Sequence, residues 1–153
     1  MASSNDHDIK CLNGLIETTI DSADGYAEAA KDADNTRYAA VFAQRASERR
    51  FVAGNLQQQV RLLGGEPEDD GTVLAKAHRM FVDLRAKMSS KDDTAIVDEV
   101  ERGEDHIKAK YEDALKDGDL SAATRAVVNE AFVSVKSGHD QMRDLKHALH
   151  NSK

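Results

Sequence analysis

Proline occurs once in this chain, at Pro67, and tryptophan not at all. With so few helix breakers, the 153 residues can run as long helices. A single cysteine, Cys11, rules out an internal disulfide framework and suits a reducing compartment. No stretch approaches the ~20 apolar residues of a membrane span. The opening Met-Ala-Ser-Ser-Asn-Asp-His-Asp lacks the basic region and apolar run of a secretory signal. Positive charge is in the minority: 21 Lys+Arg against 28 Asp+Glu give a net charge of −7. That balance argues against nucleic acid and membrane surfaces as partners. Glycine-rich phosphate loops, zinc-ligand spacings and strained nucleophile turns are also missing from the sequence. The expectation is a cytoplasmic, all-helical protein of one domain, 1–153, long enough to bury a core.

What is present is helical periodicity. Leu12, Leu15, Ile16, Thr19, Ile20, Ala23, Tyr26, Ala27 and Ala30 mark a first helix over about 7–32. Tyr38, Val41, Phe42, Val52, Leu56, Val60 and Leu63 mark a second over 36–63, with Gly64-Gly65 as its stop. Arg45, Glu48 and Arg49 interrupt that stripe, either as solvated neighbours with long stems or as an inward polar cluster. Val73, Leu74, Ala77, Met80, Phe81, Leu84 and Met88 predict a short helix at 72–88. A third long helix is expected over 92–116 and a fourth over 121–148, capped by Ser121. Short first-to-second and third-to-fourth turns with one long connection predict two antiparallel helical hairpins joined by a crossover. That is the ferritin-like form of the four-helix bundle.

The third helix is the unusual one. Ile96, Val100, Ile107 and Tyr111 define its stripe, and Gly103 and Glu104 fall in the middle of it. Glycine weakens a helix interior and a buried carboxylate needs a partner. Gly103 is therefore expected to admit a close neighbour, and Glu104 to project into the core. A ferritin-type di-metal site would need Glu-x-x-His elements, and none occurs: three residues after Glu48, Glu104 and Glu130 stand Phe51, Ile107 and Val133. A weaker set survives. Glu17 and Glu48 lie about equally far from the first turn, ~24 Å along antiparallel helices. Glu104 and His139 reach the middle from the other hairpin. Glu17, Glu48, Glu104 and His139 could bind Fe, Mn or Zn. The competing reading is an ion-paired core in which Arg45, Arg49 or Arg102 neutralises the acids and His139 is a packing residue.

Leu15-Ile16-Glu17-Thr18-Thr19-Ile20-Asp21-Ser22-Ala23-Asp24-Gly25-Tyr26, Glu48-Arg49, Leu63-Gly64-Gly65-Glu66-Pro67, Glu101-Arg102-Gly103-Glu104-Asp105 with Tyr111, and His139-Asp140 follow in that order. In them the chain resembles a bacterial four-helix-bundle family of unknown function, ferritin-like in fold. The resemblance implies a soluble bacterial bundle linked to stress, with no established activity. The functional expectation is a non-enzymatic interaction or structural protein that self-associates, a dimer first, through an exposed apolar strip. A metal-binding protein or weak oxidase built on the four-residue cluster is the alternative.

Overall fold

The computed structural model describes residues 2–69 and 93–151; the helix expected at 72–88 lies outside them. The described residues form α1 (Ala2–Asp32), α2 (Thr36–Leu62), α3 (Asp93–Leu115) and α4 (Ala122–Asn151). Each end has a local cause. The Asn35 side chain accepts a hydrogen bond from the Arg37 N–H and caps α2. At its other end Gly64 takes φ +85°, and the Gly64 and Gly65 N–H groups donate back to the carbonyls of Arg61 and Val60, the paired bonds of a glycine-terminated helix. The Ser121 hydroxyl accepts from the Thr124 N–H at the start of α4. Arg125 donates to the carbonyls of Leu115 and Asp117, satisfying the acceptors left open where α3 ends.

Contacts between elements give the arrangement. α1 packs on α2, α3 on α4, α1 on α3 and α2 on α4, so the order around the bundle is α1, α2, α4, α3. Two carboxylates tie the ends together. Asp93, the first residue of α3, accepts from the Asp34 and Asn35 N–H groups in the α1–α2 turn. Asp8, well inside α1, accepts from the Ser121 N–H and the Thr124 hydroxyl, a carboxylate at the positive end of α4. These contacts place the start of α3 beside the α1–α2 turn and the start of α1 beside the α3–α4 turn. Every adjacent pair is therefore antiparallel. α2 ends at the far end of the bundle from where α3 begins, which requires one long connection.

The core is divided. One apolar cluster gathers Leu12, Leu15, Ile16, Val52, Leu56, Val60, Ile107, Tyr111, Val128 and Val135, with others around them. A smaller one gathers Tyr26, Ala29, Phe42, Ala46, Ile96, Val97 and Met142. Their fully buried members leave a gap at 17–25 on α1, 47–51 on α2, 98–106 on α3 and 136–141 on α4, entered by Ala23 and, at its edges, by the half-buried Ile20 and Val100. That polar layer holds the candidate site.

Candidate functional site

Arg49 comes from α2 and Glu104 from α3, helices that face each other across the bundle diagonal. Nη1 of Arg49 donates to Oε1 of Glu104 at 2.7 Å and Nη2 to Oε2 at 2.6 Å. Two parallel charge-assisted bonds of this kind fix both position and orientation. The other two helices join in. Nη1 also donates to the Ser22 hydroxyl of α1 at 2.6 Å, and Nη2 reaches the Val135 carbonyl of α4 at 3.4 Å. The guanidinium carbon lies 5.4 Å from the centre of the Tyr26 ring, within cation–π range. Nε of Arg49 is buried and has no hydrogen-bond partner among the described residues. Burial alone would lower the Arg49 pKa; the charge and hydrogen bonds of Glu104 outweigh it and hold it above its ordinary value. Tyr26 is pushed well above the usual phenol range, by burial first and by the Glu104 charge second.

Space for the guanidinium comes from α4. A Cβ on Gly138 would collide with Nη2 of Arg49 and lie 3.1 Å from Oε2 of Glu104. In this layer Gly138, not Gly103, is the glycine that admits a neighbour. Gly103 faces solvent, with nothing within 4 Å of where its Cβ would be. The reason is angular: Glu104 occupies the inward position on α3, which turns the preceding residue out by one step of the helix.

Below the pair, Tyr111 meets the Thr19 hydroxyl at 2.7 Å. Thr19 already donates its one proton to the Leu15 carbonyl, so the tyrosine is the donor. Beside the pair, on the seam of α3 and α4, Nε2 of His139 faces Oδ1 of Asp105 at 2.7 Å and Nδ1 faces Oδ1 of Asp140 at 3.3 Å. The His139 hydrogen bond is the leading cause that holds the Asp140 carboxyl below its usual range. Glu101, one turn before Asp105, pairs with Nζ of Lys146 at 3.3 Å.

Three of the four residues read from the sequence as a metal set, Glu48, Glu104 and His139, have separate partners. Glu104 meets Arg49. Glu48 accepts from Arg45 and the Ser134 hydroxyl on the α2–α4 side. Glu17 is half-buried on α1, its carboxyl raised by burial and then by the charges of Glu68 and Asp21. His139 turns to Asp105. Among the described residues, two groups bring three possible ligand atoms within 4.8 Å of one another: His7, Asp117 and Asp119, and Glu101, Asp105 and His139. Of the four, only His139 belongs to either. Of the three arginines, Arg49 neutralises the core acid, Arg45 serves Glu48 near the surface, and Arg102 is exposed and pairs with Glu99 on its own helix. Sequence reasoning missed Ser22, Gly138 and Asp105. For Asp105 a signal exists: it is the acid one turn after Glu101, on the flank of the inward stripe.

The architecture is an all-α four-helix bundle whose centre is a buried ion pair. Residues 7–117 match the family described as a domain of unknown function (DUF2383), and the chain belongs to it. The match takes in α1 from residue 7 and all of α2 and α3, with Arg49 and Glu104, and stops before α4, so Gly138 and the His139-Asp140 element lie beyond it. No curated protein matches the chain.

Proposed function

We propose that this protein acts through protein–protein contact, as a non-enzymatic structural bundle that pairs with a second copy of itself along the face formed by α2 and α4. One observation carries the reading: Phe51 and Leu62 of α2 and Val133 of α4 are 70%, 71% and 70% exposed, while the other large apolar side chains among the described residues are buried or half-buried. Phe51 and Leu62 share a groove with Val127, Glu130, Ala131 and Ser134 of α4. Large apolar side chains grouped in this way mark interaction surfaces more often than isolated ones do.

A second copy fits by charge. A two-fold axis through Val133 that sets α4 antiparallel to its mate places Glu130 opposite the mate's residue 136, a lysine, and repeats the pair on the other side. Glu130 and Lys136 are both exposed, with no ion pair to any described residue. The face is also large enough. Two helices about 40 Å long and about 20 Å across offer roughly 800 Å², the area a standard interface takes from each partner. Connectivity with one long crossover is ferritin-like, but the commitment of Glu104 to Arg49 favours a structural centre over a core metal. A link to stress physiology is part of this proposal and rests on the resemblance alone.

Sedimentation equilibrium tests it. The wild-type chain should sediment at twice its 16.8 kDa, and Val133→Glu should give monomer. Lys136→Glu alone should weaken the dimer, and Glu130→Lys with Lys136→Glu should restore it, since the swap preserves each cross-pair. A wild type that sediments as monomer at micromolar concentration overturns the reading.

A further inference from the structure

We propose that Glu101, Asp105 and His139 form a site for one first-row divalent cation on the seam between α3 and α4. The spacing is right for it. Glu101 and Asp105 are four residues apart and share a face of α3, and His139 approaches from α4. One oxygen from each acid and one ring nitrogen lie within 4.8 Å of one another. Bonds of about 2.1 Å to a tetrahedral ion would set the ligand atoms about 3.4 Å apart, a gap that side-chain rotation closes.

The histidine supplies an independent reason. His139 is only 8% exposed, and its Nδ1 faces the Asp140 carboxylate. A carboxylate behind the distal nitrogen is how metal-binding histidines are oriented. With the ring proton on Nδ1, Nε2 presents a lone pair to the Asp105 oxygen at 2.7 Å, and two acceptors at that distance repel. In that tautomer a cation bound by both atoms replaces the contact; in the other, a ring proton on Nε2 bridges to Asp105 instead. Nε2 has no partner other than Asp105 among the described residues.

Charge and access agree. Four acids (Glu101, Asp105, Asp140 and Asp144) stand against three cations, Lys146, Arg143 and Lys136, so the surroundings stay negative without displacing any base. Lys146 contacts Oε2 of Glu101, which leaves the other oxygen to serve as a ligand. Asp105 is exposed and opens the site to solvent, where water completes the shell. One imidazole with two carboxylates suits Zn, Mn or Fe(II) over soft, thiolate-seeking ions. Such an ion would clamp α3 to α4 beside the Arg49–Glu104 pair without using Glu17, Glu48 or Glu104, and it is independent of the α2–α4 face.

Calorimetry with Zn(II) on the full-length, untagged, chelator-stripped chain is the test, with Co(II) absorption as a second readout. One equivalent should bind saturably. His139→Gln and Asp105→Asn should each weaken it about ten-fold or more. Asp105 is a surface residue, so its substitution leaves the fold intact and keeps the test valid if His139→Gln does not fold. Absence of saturable binding by the folded wild type would mean that the Nε2–Asp105 contact is an ordinary hydrogen bond, and would overturn the proposal. Unchanged binding by Asp105→Asn, with loss in Asp117→Asn or His150→Gln instead, would overturn it equally.

Discussion

Arg49–Glu104 and Arg45–Glu48 set the same two side chains in two solvents, one helical turn apart on α2. The first pair is 0% and 1% exposed and spans the bundle diagonal from α2 to α3. The second is 12% and 33% exposed, lies within one helix and leans on Ser134. In the dry layer each charge has lost its water, and its partner is its main compensation. At the rim, water competes for both groups and the net attraction is small. Similar distances therefore carry very different consequences. The buried pair also selects: it fixes which face of α2 and which face of α3 turn inward, since any rotation would strand a charge.

The largest expected effect comes from cutting the dry pair. Glu104→Ala should cost about 3–5 kcal/mol and lower Tm by roughly 10 °C. Replacing both members, Arg49→Met with Glu104→Leu, should recover most of that loss or exceed wild type. If Glu104→Ala melts like wild type, the layer is wet and the contrast with Arg45–Glu48 disappears. The next effect is alkaline. Tyr111 is pushed up to about 12 by burial above all, and Tyr26 is raised in the same direction. An unfolded phenol releases its proton near pH 10, so the stability these rings hold is fully present below that. The Tyr111 share should fall by about 1.4 kcal/mol per pH unit as pH rises from 10 through about 12, and the Tyr26 share in the same direction. Urea midpoints measured either side of that onset check it; a midpoint indifferent to pH would show the rings solvated.

Gly138→Ala sharpens the same contrast by crowding one pair alone. The gain in helix propensity, about 1 kcal/mol, is set against a Cβ driven into the pinned guanidinium. The net should be a loss of about 1–2 kcal/mol in wild type and a gain in the Arg49→Met, Glu104→Leu background. The same sign in both backgrounds would show that Gly138 does not make room for Arg49. Arg45→Ala should be the mildest, about 0.2–1 kcal/mol; a loss comparable to that of Glu104→Ala would place Arg45 in the dry layer too.

Much of this layer is legible in the amino-acid pattern. The stripe on α3 runs through Glu104 by helical spacing, and Glu104 is buried. On α2, Val52 and Leu56 point toward an inward Arg49, yet Arg45 and Glu48 break the stripe equally in sequence. Only the position of α4 separates them, because Gly138 opens a space over Arg49 while Arg45 lies against Ser137 and Gln141. Gly103 misleads for the same reason. A glycine beside an inward residue is not itself inward, and a flat stripe cannot resolve a single step around a helix. The Asp8–Thr124 and Asp93–Asn35 contacts join residues far apart in the chain and leave no periodic trace at all.

The sequence by itself determined the four-helix architecture, the turns and caps, and the presence of a polar layer at mid-bundle. Those follow from local periodicity and from residues acting within a few positions of themselves. Tertiary structure alone decided who partners whom in that layer: Arg49 across the diagonal for Glu104, Asp105 across the seam for His139. Which acid meets which base depends on how four helices rotate about their axes, and that rotation is set by the joint packing of all four at once.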